Sequence, residues 1–202
     1  MAELIRTILW QEMEEPGSQI AQLWRAGNSW QISGEVVKSD AGMPLLADYQ
    51  IDIDAQWHTR RAQITVRRGN GLRSTLAVQV DADQRWTFAR DPAAAGDAAE
   101  DSSAFTGLID IDFSLTPATN TLPIRRLALA IGESAEVTAI WIDSADLTVM
   151  LLPQRYLRLD ERRYRYESSD GAFVAELEVD ELGLAANYEG LWRRIAQADP
   201  VK

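Results

Sequence analysis

The 202-residue chain reads as all-β and mainly antiparallel. Three observations predict this class: apolar residues alternate with polar ones in many short runs, turn signals separate those runs, and helical spacing is rare. In the clearest run, Tyr49, Ile51, Ile53, Ala55 and Trp57 fall on one face, with Gln50, Asp52, Asp54 and Gln56 on the other. That is the pattern of a half-buried strand. Many such strands joined by tight turns describe a roll, barrel or sandwich.

Taken in order, the start MAELIRTILWQ has no basic leader, breaks its apolar run at Arg6 and lacks a small-residue cleavage site, so it predicts a first strand and not a signal peptide. Trp10, Trp24 and Trp30 follow in a less regular region where one of them is placed to line a cleft. Alternation returns at Ala62, Ile64 and Val66, at Leu76, Val78 and Val80, at Ile109, Ile111 and Phe113, at Ala135, Val137, Ala139 and Trp141, and at Phe173, Ala175, Leu177 and Val179. Trp57 and Trp141, on the apolar sides of their runs, are expected in the core. Turns are expected at Gly69-Asn70-Gly71, 81–84, Asp160-Glu161 and 168–171.

Three segments depart from this pattern. Residues 91–104, DPAAAGDAAEDSSA, carry four acidic and no basic residues and read as a solvated, alanine-rich loop. Between Pro123 and Gly132, Ile124, Leu127, Ala128 and Ile131 fit a short helix with proline near its first turn and glycine beyond its last; Leu127, Leu129 and Ile131 also fit a strand, and the reading favoured is a short helix or helical turn leading into extended chain. The stretch 190–195 is too short to assign.

Length and 46% hydrophobic residues suit one large domain spanning 1–202. A net charge of -11 repels nucleic acid and anionic surfaces. No window reaches the roughly 18 apolar residues of a membrane span, so no integral membrane association and a cytoplasmic location are expected. There is no cysteine and a single histidine, His58. A zinc site, a cysteine nucleophile and a serine triad built on a GxSxG elbow are therefore not expected, and no metal or cofactor is implied.

Asp110 and Asp112 share one face of a predicted strand, with backbones roughly 6.5 to 7 Å apart. Paired carboxylates at about 5 to 9.5 Å serve glycoside hydrolysis, but alternating acids also solubilise a strand or pair with arginine, as Asp52/Asp54 and Glu176/Glu178 imply here. The loop Thr116-Pro117-Ala118-Thr119-Asn120-Thr121-Leu122-Pro123 is stiffened by its prolines. Its Thr119, Asn120 and Thr121 are placed either to bond a polar ligand or to cap the following chain. Arg125 and Arg126 sit too close to apolar residues for both to be freely solvated, and Asp110 or Asp112 is the expected partner of one.

DIDFSLTPATNTLPIRRLAL, from Asp110 to Leu129, resembles the core motif of the bacterial family called putative glycolipid-binding proteins. Further blocks agree in order: Tyr49 with Trp57-His58-Thr59-Arg60, Gln154-Arg155-Tyr156, Tyr164-Arg165-Tyr166, and Val179-Asp180 followed by Gly183-Leu184 and Tyr188-Glu189-Gly190-Leu191-Trp192. The resemblance implies a sheet that curls on itself, a spiral β-roll or barrel-like form with one or two short helices, similar to lipoprotein carriers that hold acyl chains in an apolar cleft. It supplies no catalytic residues.

The leading expectation is a binding protein for an amphipathic ligand, a lipid or glycolipid-like small molecule, held in an apolar cleft with an arginine rim. Its candidate ligand-binding residues are Arg125, Arg126, Asn120, Thr119, Asp110, Asp112, Trp57 and Arg60. The alternatives are a hydrolase of a sugar or lipid conjugate using Asp110 and Asp112, and a structural β protein whose cleft is the interface of a homodimer.

Overall fold

The computed structural model describes residues 2–91 and 102–200. Its strands are β1 (Glu3–Glu12), β2 (Gly17–Ala26), β3 (Ser29–Asp40), β4 (Met43–Ile53), β5 (Thr59–Arg68), β6 (Arg73–Val80), β7 (Trp86–Asp91), β8 (Asp110–Phe113), β9 (Ser134–Ile142), β10 (Val149–Arg158), β11 (Arg163–Ser168), β12 (Phe173–Val179), β13 (Ala185–Tyr188) and β14 (Trp192–Ala198). Among the described residues one α-helix, α1 (Thr121–Leu127), follows a short 3-10 turn at Pro117–Asn120.

Among the described residues all fourteen strands form one sheet in the order β7-β6-β5-β4-β3-β2-β1-β14-β13-β12-β11-β10-β9-β8. Neighbours are antiparallel except β8 and β9, which run parallel. Because β1 pairs with β14, the first and last strands lie at the centre of the sheet and two meanders spread from them. The sheet curls without closing. Its β8 end comes back towards the β5–β7 end, where the Trp86 indole N–H donates to the Leu108 carbonyl (3.0 Å) and the Thr59 amide to that of Ile109 (3.3 Å).

Period two places the core as the sequence predicts at Tyr49, Ile51 and Ile53 of β4, which are buried while Gln50 is exposed, and the same face runs back through the buried Leu45 and Ala47. The Gly69–Gly71 turn joins β5 to β6, and the Asn70 side-chain oxygen accepts from the Leu72 amide at 3.0 Å, a turn in which asparagine replaces a backbone acceptor. Gly34 pairs with Tyr49, and the tyrosine ring lies over the space its missing side chain leaves: a Cβ there would stand 2.6 Å from the Tyr49 hydroxyl.

Several local expectations are corrected. The region of Trp10, Trp24 and Trp30 is regular, forming β1, β2 and β3, and Trp10 is fully buried with its N–H on the Ala185 carbonyl at 2.8 Å. The expected strand face ending at Trp57 stops at Ile53. Trp57 sits in the following turn with φ 66° and is buried by stacking on Trp30, ring centroids 5.0 Å apart. Segment 123–132 is helical only to Leu127. The helix stops at a left-handed Ala128 (φ 45°) and does not reach Gly132. Of residues 190–195, the last four open β14 and the first two lie in the turn before it. Most of the acidic loop expected at 91–104 lies outside the described residues.

The two meanders are tied together by charge as well as by backbone pairing. Asp180, in the turn after β12, accepts from Arg6 of β1 (3.0 Å) and pairs with Arg194 of β14 (2.9 Å), while Arg6 also reaches Asp199 (2.8 Å). These contacts keep the guanidinium of Arg6 protonated, its pKa raised chiefly by the hydrogen bond it donates to Asp199.

Candidate functional site

The proline-braced segment 116–123 is almost wholly buried, lying inside the curl against the inner face of the sheet. A buried polar segment must find partners for its donors and acceptors, and each side chain here has one. Thr116 is the cap of the 3-10 turn: its hydroxyl accepts from the Ala118 amide at 3.0 Å and from the Gln19 amide at 2.5 Å, and it lies 3.0 Å from the Tyr49 hydroxyl. The Thr119 hydroxyl donates to Asp112 at 2.8 Å. Asn120 accepts from the Tyr156 hydroxyl at 2.9 Å, and Thr121 donates to the Gly183 carbonyl at 3.1 Å. Capping falls to Thr116, a residue that sequence reasoning did not single out for it.

Strand β8 lies between this segment and β9. Its acidic face points inward, towards the segment, and not to solvent as alternation alone implies: Asp110 is 2% exposed and Ile111 and Phe113 on the other face are also buried. The two aspartates then diverge. Asp110 is bonded through both oxygens to the guanidinium of Arg126. Asp112 takes its hydrogen bonds from neutral donors, Thr119 on one oxygen and the Gln154 amide (2.7 Å) on the other. Burial pushes the Asp112 carboxyl above the usual range, the two hydrogen bonds pull it back, and the neighbouring charge of Asp110 pushes it up again.

Asp112 opens into a cleft of about 230 Å³ between β8, the buried turn and strands β9 to β14. Thr116, Asn120 and Ser168 join it on the polar side. The walls are aromatic: Trp141, Tyr166, Phe173, Tyr188 and Trp192. Tyr166, Phe173 and Tyr188 meet edge to face with centroids 5.9 to 6.2 Å apart, the arrangement that ring quadrupoles favour. Burial raises the pKa of Tyr166 and Tyr188, so both phenols stay neutral.

The cleft's lip is apolar. Leu152 and Leu191 line it. Met150, directly opposite Trp141 in the β9–β10 register and so on the same face, is 48% exposed. Met13, equally exposed, is joined through its amide to the Leu191 carbonyl at 2.9 Å. Trp141, expected in the core, is a partly exposed wall of this cleft.

The remaining candidates lie elsewhere. Arg125 is exposed, with its guanidinium over the Trp57 ring at 5.2 Å. It lines a separate groove of about 550 Å³ with Arg158, Glu161 and Arg162. Arg60 bonds to Asp54 at 2.9 Å. A groove of about 770 Å³ along β9 to β11 is larger, but charged side chains such as Glu136, Arg155 and Asp170 line it and no aromatic wall encloses it. Of the predicted set, Asp112 and Asn120 line the aromatic cleft, Thr119 holds Asp112 from behind, and Asp110 with Arg126 forms the adjoining ion pair. Aromatic walls are part of the expected cleft, but the residues that form them were not singled out, although Gln154-Arg155-Tyr156, Tyr164-Arg165-Tyr166 and Tyr188 to Trp192 carry the signal: tyrosines at alternate positions beside a buried glutamine are a polar inner face.

Residues 7–194 match a family model whose description is "Putative glycolipid-binding". The chain is also similar to the crystal structure of a DUF1089 family protein from Pseudomonas aeruginosa, with 34% identity over 89% of this chain and 92% of that one and a TM-score of 0.73. Comparison with curated proteins gave no match. No helix among the described residues is long and apolar enough to cross a membrane.

Proposed function

The chain belongs to the family described as "Putative glycolipid-binding", and from that premise we propose that it binds an amphipathic, glycolipid-like molecule whose head enters the Asp112 cleft and whose chain leaves over the apolar lip. The observation that carries this reading is the polarity gradient of the cleft. Hydrogen-bonding groups, aromatic rings and the apolar Leu152 and Leu191 line it, and the exposed Met150 and Met13 lie beside two of the lining residues, Met150 paired with Trp141 and Met13 bonded through its amide to Leu191. Flat rings suit the faces of a sugar, and flexible methionines suit a chain of variable shape.

Volume limits what is enclosed. At about 230 Å³ the cleft is below the roughly 300–1,000 Å³ typical of sites that swallow a whole drug-sized ligand. It suits one head group, with the acyl part outside it, which inverts the expected apolar hollow with an arginine rim. The geometry does not favour paired-carboxylate hydrolysis, since Asp110 is committed to Arg126 and does not line the cleft.

Native mass spectrometry of protein purified from its own host, before and after solvent extraction, tests the reading. The expected result is a one-to-one adduct of lipid mass, removed by extraction and much reduced in Trp141→Ala. Protein that is empty in every preparation overturns it, and an empty but tight dimer favours the lip as a subunit interface.

A further inference from the structure

Each other deeply set carboxylate described above has a cation of its own: Asp110 has Arg126, Asp180 has Arg6 and Arg194, and Asp54 has Arg60. Glu12 likewise has Lys38, at 2.5 Å. Asp112 breaks the pattern. Among the described residues it is the one charged side chain lining the aromatic cleft, and both of its hydrogen bonds come from neutral groups. A carboxylate withdrawn from bulk water with no counter-charge is an uncompensated site. It still has acceptor capacity, because two donors occupy only half of its roughly four lone-pair directions.

The walls push in the same direction. Six aromatic residues line the cleft around that carboxylate, Phe113 beside the five wall residues, and aromatic faces carry negative potential, which is why rings enclose alkylammonium groups in known recognition sites. An anionic head would meet Asp112 and the ring faces with no cation to receive it, while the protein's arginines lie outside the cleft. The Tyr188 hydroxyl, which makes no hydrogen bond within the described residues, adds a neutral group able to accept from an N–H.

From this juxtaposition we propose that the head group taken by the cleft is an organic cation, an ammonium carried by an amino sugar or a choline-like head, with its charge on Asp112 and its flanks against Trp141, Phe173 and Trp192. The proposal rests on the amphiphile-binding reading above and specifies its ligand class. It also assigns Asp112 a specificity role that neither fold nor hydrogen bonding requires of an aspartate, since an asparagine oxygen would still accept from Gln154 and its amide could donate to Thr119, whose hydroxyl already lies 3.3 Å from the Thr116 carbonyl.

The test is a calorimetric titration of the full chain with four eight-carbon amphiphiles, each below its critical micelle concentration: octylammonium, octyltrimethylammonium, octyl glucoside and octanoate. At least one ammonium should bind tenfold or more tightly than octyl glucoside, and octanoate should bind weakest. Which ammonium wins separates an amino-sugar-like head from a choline-like one. In Asp112→Asn the advantage of the cation over the glucoside should disappear, and the wild-type ranking stands alone if that variant does not fold. Glucoside binding as tightly as both ammonium compounds, or octanoate binding tightest, overturns the cationic head while leaving the amphiphile site intact. No binding of any of the four removes both.

Discussion

Arg126 is hydrogen-bonded to both carboxyl oxygens of Asp110, reaching back from the last turn of α1 to the first residue of β8. Asp112, two residues along on the same inward face, receives no cation, only Thr119 and Gln154. Two carboxylates of one strand therefore carry different burdens. The first fastens the helix to the sheet, and the second presents free acceptor capacity to a cleft. Breaking each should have opposite effects on stability.

For the fastened one, Arg126→Met should destabilise the fold by about 3 kcal/mol, because it leaves Asp110 buried with its charge unpaired. Urea unfolding should show a lower midpoint with an unchanged slope. A cost below about 1 kcal/mol, the range of an exposed ion pair, would mean that solvent reaches Asp110 in solution.

Asp112→Asn should instead raise the melting temperature at neutral pH. A carboxyl whose folded pKa lies above its unfolded value binds its proton more tightly in the folded state, so ionised Asp112 opposes folding above the folded pKa. That opposition fades as pH falls through the folded pKa and is gone below the unfolded one. The groups facing it that bear on this titration are Asp110 with its Arg126 partner, and the neutral phenols of Tyr156, Tyr166 and Tyr188. The variant's advantage should therefore be present at pH 7–8 and shrink towards pH 3, at about 2–4 °C per kcal/mol for a chain of this size. Melting temperatures that favour the wild type at neutral pH would show that the ionised carboxylate stabilises its surroundings, and that Asp112 is a structural acceptor.

The contrast between β4 and β8 shows what the sequence made legible. In β4, apolar residues face the core and polar ones face water, so Tyr49 to Ile53 could be assigned by alternation alone. In β8 the same rule assigns the strand but reverses its surroundings. Asp110 and Asp112 point inward because donors distant in sequence, Arg126, Thr119 and Gln154, meet them there. The arginine partner could be anticipated, since it lies in the same motif as Asp110. The cleft walls could not, because Trp141, Phe173, Tyr188 and Trp192 come from four strands, and an aromatic residue on an apolar face reads the same whether it fills a core or lines a cleft. Trp57 was misread for a further reason: nothing in its neighbours marks the left-handed turn that ends the strand.

The opposite meander has its own sensitive point at Gly34. A methyl group there would stand 2.6 Å from the Tyr49 hydroxyl and 2.7 Å from the Ile20 carbonyl, the latter a backbone atom that cannot swing aside. Moving Tyr49 would also pull its hydroxyl from Gln19 (2.5 Å) and Thr116, and with them the cap of the buried turn. Gly34→Ala should cost about 3 kcal/mol, the upper part of the usual overpacking range. Tyr49→Phe, which keeps the ring and loses only the hydroxyl, should cost about 1 kcal/mol. Equal costs in chemical denaturation would show that the ring's position, and not the close approach to Gly34, governs this contact.

Ala128 offers the reverse experiment. It ends α1 in a left-handed conformation, φ 45° and ψ 42°, with its amide donating to the Ile124 carbonyl. An L-residue other than glycine pays roughly 1–2 kcal/mol there because its Cβ crowds the following carbonyl, and glycine is the usual residue at such a helix end. Replacing Ala128 with glycine removes that crowding but gives back some unfolded-state entropy, so the net gain should be about 0.5–1 kcal/mol. Ala128 is exposed, and no packed core is lost with its methyl group. The change should appear as a higher denaturant midpoint at constant slope. An unchanged or lower midpoint would place Ala128 outside the left-handed region in solution, and with it the sharp stop that sets α1, and Arg126 upon it, against Asp110.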